Sequence, residues 1–98
     1  MKIDHKPVRV AIVSASLSRA AGGILPIMQN HAKELLKLGV EVSVHGVSDD
    51  FNEVDRSGWG EVPLYFSKSF GSKRLAFAPG LGRTISAADP DIIHQHGI

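Results

Sequence analysis

Ninety-eight residues, 43% apolar and 21% charged, suffice for one small domain with a core of its own and exclude a chain disordered by composition. The net charge is +1 and the longest basic run is Lys73-Arg74, which excludes the concentrated positive face of a nucleic-acid binder. The absence of cysteine removes disulfides, thiolate nucleophiles and cysteine zinc sites, and fits a cytoplasmic protein. The apolar stretch after Lys2 is short and broken by Arg9, so neither a signal peptide nor a spanning helix is expected there.

In chain order, residues 1–7 form a polar lead-in. Val8 and Val10 to Val13 give a nearly unbroken apolar run, the pattern of a central parallel strand covered on both faces, ending near Ser14. Residues 15–21 read as a loop carrying Ser16, Ser18 and Arg19. The pair Gly22-Gly23 then opens a helix over 24–38, where Ile24, Ile27, Met28, His31, Leu35 and Leu38 recur at helical spacing. Pro26 is tolerated in the first turn, Lys33, Glu34 and Lys37 mark the wet face, and Gly39 is the terminating residue.

A second strand is expected over 40–47, with Val40, Val42 and Val44 alternating against Glu41, Ser43 and His45. The polar, acidic stretch 48–60 reads as a surface loop, with Trp59 capping the edge of the core. A third strand over 62–66 has Pro63 at its start, and a Ser/Gly/Lys loop follows over 67–72. Phe77 is expected to pack just ahead of a second helix, which begins at Pro79 and runs to about Ala88 until Asp89-Pro90 stops it. The last strand spans 91–96.

Strand, helix, strand, strand, helix, strand implies an α/β fold: a Rossmann-like, doubly wound parallel sheet of about four strands. Right-handed crossovers give the order 3-2-1-4, with the two helices on opposite faces. The first and fourth strands are then neighbours at the topological switch point, where ligands of open α/β sheets bind beyond the carboxyl ends of the strands. The Gly22-Gly23 loop and His96 both reach that crevice. The sheet edge beyond the fourth strand has no cover, so the chain is expected to be a truncated piece of a larger protein or to pair with a second copy through that edge.

Two glycines before a helix either make a tight turn or let a phosphate approach the helix's first free N–H groups. The dinucleotide fingerprint, the Walker phosphate loop and the Gly-x-Ser-x-Gly elbow are all absent. Asp49-Asp50 either holds a ribose or is simply solvated. His94-Gln95-His96 places two histidines on one side of a strand. A zinc site needs a third and fourth ligand, and His31, His45 or Asp49 would have to reach them; spacing fixes none of these, so no metal is expected. His94 reads as a hydrogen-bonded core residue and His96 as a ligand contact at the strand's mouth.

Several pieces occur together and in order. They are Arg9-Val-Ala-Ile-Val, Gly22-Gly23, a helix ending Lys37-Leu38-Gly39, Val40-Glu41-Val42-Ser43-Val44, and Ala88-Asp-Pro-Asp-Ile-Ile-His-Gln-His-Gly97. From Arg9 to Gly97 the sequence resembles the N-terminal domain of retaining glycosyltransferases of family 4 (group 1), which have the GT-B fold. The resemblance implies transfer of a sugar from a nucleotide-sugar donor to a sugar or lipid-linked acceptor, with retention and without a resident cofactor. It implies Gly22 and Gly23 beside the donor diphosphate, His96 as the catalytic histidine beside the transferred sugar, and Ser16, Ser18 and Arg19 on the acceptor side. It further implies glycan assembly at the inner membrane face.

Two positions depart from the family's pattern: Val40 stands where many members have histidine, and Ile24-Leu25-Pro26 where many have a polar start. The family's C-terminal domain, which holds the nucleotide and a paired-glutamate motif, lies outside these 98 residues, so the chain alone is expected to be inactive. The alternative is a stand-alone flavodoxin-like interaction module that self-associates through its open edge.

Overall fold

A computed structural model describes residues 7–68 and 79–96. The expectations for the loop after Ser67 and for Phe77 fall outside them, apart from Ser67 and Lys68. The strands are β1 (Arg9–Ser16), β2 (Glu41–Val47), β3 (Leu64–Ser67) and β4 (Ile92–Gln95). The helices are α1 (Ile24–Lys37), a single turn α2 (Asn52–Asp55) and α3 (Pro79–Ala88), with 3-10 turns at Arg19–Ala21 and Arg56–Trp59. All four strands pair in parallel in the order β3-β2-β1-β4, the expected 3-2-1-4.

Strand alternation divides the core between the two faces of the sheet. Val10, Ile12, Val42 and Val44 form the layer that packs with Met28 and Ala32 of α1, and Trp59 and Val62 extend it. Trp59 is fully inside this core rather than at its edge, and its indole N–H donates to the Leu17 carbonyl at 2.9 Å. Gly46 allows the tight fit here, because a Cβ at that position would meet Leu17 Cγ at 2.4 Å.

The opposite face carries a polar centre. His45 is completely buried, with Nδ1 2.8 Å from Thr84 Oγ1 on α3 and Nε2 2.8 Å from Ser43 Oγ. Its ring stacks on Tyr65 at 5.1 Å. The Thr84 hydroxyl donates to the Leu81 carbonyl at 3.0 Å, so it accepts from Nδ1–H, and the Ser43 hydroxyl donates to Nε2; the pair satisfies the neutral Nδ1–H tautomer. Burial lowers the His45 pKa from the ordinary histidine value, because the charged form loses solvation.

Several boundaries move for local reasons. β1 runs past Ser14 because a bulge between Val13 and Ser16 restores its pairing with β2 at Val47. The 48–60 stretch is partly helical, not an irregular loop. Asn52 Oδ1 accepts from the Asp49 N–H at 2.6 Å and Asp49 Oδ1 from the Phe51 N–H at 2.9 Å, and these side-chain bonds start the turn. Asp89 ends α3 with φ 47°, a left-handed conformation that aspartate tolerates.

β4 is the weakly held strand. It pairs only with β1, and Ile92 and Ile93 are 53% and 59% exposed. Its start is tied by the Asp91 N–H to the Arg9 carbonyl at 2.8 Å and by the Arg9 N–H to Asp91 Oδ2 at 2.9 Å. No helix among the described residues is long and apolar enough to cross a membrane.

Candidate functional site

The carboxyl ends of β1 and β4 lie side by side, and a cleft of about 360 Å³ opens there. Its walls are Ser14, Ala15 and Ser16 of β1, Ala20 and Ala21 of the following turn, Ile24 at the start of α1, and His96 just after β4. Of the expected site residues, His96 and Ser16 line this cleft; Gly22 and Gly23 fall in the chain between the lining residues Ala21 and Ile24 and are not among its walls.

The two glycines differ. Gly22 has φ +69°, a left-handed conformation that favours glycine, so the turn itself accounts for it. Gly23 has φ −62° and nothing within 4 Å of the place a Cβ would occupy. Neither backbone nor packing requires a glycine there. α1 begins at this point with no side-chain cap and no acidic residue in its first turn. In its first turn the Leu25 N–H already donates to the Gly22 carbonyl at 3.1 Å and Pro26 has no N–H, which leaves the Ile24 N–H as the donor available at the positive end of the helix dipole.

Ser16, Ser18 and Arg19 already have partners. Ser16 Oγ and Ser18 Oγ donate to Asp49 Oδ2 at 2.9 and 2.7 Å, and Ser18 Oγ also accepts from the Ala20 N–H at 3.2 Å. Asp49 thus ties β1 to the loop after β2. Arg19 binds Asp55 through Nη2 at 2.7 Å, Nε at 3.0 Å and its backbone N–H at 2.8 Å, with the guanidinium 4.9 Å over the Phe51 ring. The hydrogen bond from Arg19 is the main cause that lowers the Asp55 pKa, and the same bond raises that of Arg19. These side chains hold the wall of the cleft together, and a ligand would have to compete for them.

The histidines group differently from what spacing suggested. His31 of α1 joins His94 and His96, and one ring nitrogen from each lies within 4.8 Å of the others. The His94 and His96 rings stack at 4.3 Å with 6° between planes, as same-face residues of a strand can. His31 meets them edge-on at 4.9 and 5.7 Å. His45 is on the other face of the sheet, and Asp49 is bound to Ser16 and Ser18, so neither belongs to this group.

His94 is exposed rather than a hydrogen-bonded core residue, because β4 is an edge strand with little cover. His96 is half-buried and fixed by its N–H to the Val13 carbonyl at 2.8 Å, yet its Nε2 is buried with no hydrogen-bond partner. Burial, then the neighbouring His94 and His31, lowers the His96 pKa and favours the neutral ring. His31 was one of three candidates to join the strand histidines, and spacing could not choose among them; the placement of α1 over the β1–β4 pair is what selects it. Compared with protein-family models, curated proteins and solved structures, the chain matches none.

Proposed function

We propose that the cleft is the sugar- and diphosphate-facing half of a glycosyl-transfer site, on the acceptor-side domain of a retaining glycosyltransferase that uses a nucleotide-sugar donor. One observation carries the reading: the start of α1, with no side-chain cap, and the imidazole of His96 share one cleft at the β1–β4 switch point. The departing diphosphate is an anion, and the Ile24 N–H together with the positive end of the α1 dipole would offset its developing charge. A neutral imidazole at His96 can hydrogen-bond a sugar hydroxyl beside the reacting carbon. Gly23, which the turn does not need, would let the diphosphate approach the backbone. The ordered resemblance described above supplies the substrate class.

The test is a titration of the ¹⁵N-labelled chain with UDP-glucose and GDP-mannose in the presence of a chelator, read by amide chemical shifts. Weak, fast-exchange shifts confined to Gly22, Gly23, Ile24 and His96 are expected at roughly millimolar donor. No shift at these amides, or shifts clustered elsewhere, would remove the reading and leave the exposed Ile92–Ile93 edge as the functional surface, in keeping with the self-associating module.

A further inference from the structure

We propose that His31, His94 and His96 form a three-histidine site for a divalent transition metal of the zinc class, with its fourth coordination position open to the cleft. The proposal is argued from these three side chains alone; it shares His96 and the cleft with the sugar-transfer reading but does not depend on it.

Three imidazoles from two separate elements offer nitrogens within 4.8 Å of one another. Tetrahedral zinc with Zn–N bonds of about 2.0–2.1 Å places its nitrogens roughly 3.4 Å apart. The trio therefore has to close by little more than an ångström. It has the freedom to do so: His94 is exposed on an edge strand, and among the described residues no hydrogen bond holds the ring of His31 or His94.

The buried Nε2 of His96 is the second argument. A buried polar atom without a partner costs about 1–3 kcal/mol, and a metal would supply the missing one. Packing alone explains stacked rings, but it does not explain a buried ring nitrogen that has no partner among the described residues.

Imidazole donors select zinc, copper and nickel over magnesium or calcium, which take oxygen ligands. Three protein ligands with one position left for water or a ligand oxygen is the arrangement of reactive zinc sites, whereas structural sites close all four. His96 lines the cleft, so the open position is reached from there. A bound metal would also clamp the exposed strand β4 to α1, which the sheet's own pairing leaves loosely joined.

The experiment uses untagged chain stripped with chelator and titrated with Zn²⁺ by calorimetry, with no nucleotide present, and with Co²⁺ as a spectroscopic probe. One equivalent of Zn²⁺ and the intense visible bands of tetrahedral cobalt are expected. His94→Ala, chosen because His94 is exposed and the fold does not need it, should bind at least about tenfold more weakly. His31→Gln, checked for an unchanged far-ultraviolet dichroism spectrum, should weaken binding similarly. Absence of saturable one-to-one binding, or unchanged affinity in folded His94→Ala, overturns the site. Metal binding without nucleotide shifts, or the reverse, separates this proposal from the donor site.

Discussion

His45 and the trio His31, His94 and His96 lie on opposite faces of one sheet, and their surroundings differ more than their chemistry. His45 pairs in register with Val13 of β1, points towards α3, and has a hydroxyl at each ring nitrogen. His94 pairs with Ile12, one residue earlier and therefore on the other face, where its neighbours are two more imidazoles. A histidine whose two nitrogens are both answered within the fold serves the fold. A cluster of histidines with a buried nitrogen left unanswered is held for something outside it. The comparison teaches that residue type says little here, and that the accounting of donors and acceptors says much.

The largest effect that could break this contrast is on stability. His45→Ala should lose a buried ring and take from the Ser43 hydroxyl its ring partner, costing roughly 2–3 kcal/mol. In the presence of chelator, His94→Ala should stay within about 0.5 kcal/mol of the parent, as exposed substitutions usually do. Urea unfolding monitored by Trp59 fluorescence measures both. Equal losses would mean that the exposed cluster is structural too.

Acid should act through the same difference. The folded His45 pKa lies below the ordinary value, so the unfolded chain binds the proton more readily, and stability rises with pH between the folded value and about 6.5. The contribution is intact above pH 6.5 and is lost as pH falls below it. His96 adds a dependence of the same sign. Unfolding at several pH values, comparing the parent with His45→Gln under chelator, isolates the His45 share: the variant should show the shallower slope, and parallel slopes would place the proton elsewhere.

Much of the fold was legible because its physics is local. An unbroken apolar run, a helical stripe and the handedness rule were enough for four parallel strands in the right order, and the same order brings His96 to the cleft at the β1–β4 switch point. What escaped depended on pairs far apart in sequence. The resemblance put Ser16 and Arg19 on the acceptor side, but the Ser16 hydroxyl donates to Asp49, 33 residues on, and the Arg19 guanidinium is taken by Asp55, 36 residues on. His31 joined the two strand histidines only through the crossing of α1, which no local periodicity encodes.

The smallest expected effect on stability sharpens the contrast at the glycines. Gly46→Ala would push a methyl to 2.4 Å from Leu17 Cγ in the tightest part of the core, and overpacking of this kind costs about 1–3 kcal/mol. Gly23→Ala meets open space at φ −62°, so the unfolding midpoint should barely move, within about 0.5 kcal/mol. If Gly23 is kept for the approach of a diphosphate, the same methyl should weaken the amide shifts produced by UDP-glucose at Ile24 while leaving the parent's stability and its zinc stoichiometry intact. A Gly23→Ala chain that titrates with donor as the parent does would make Gly23 an incidental part of the turn, and would leave the Ile24 N–H and His96 as the donor-facing groups.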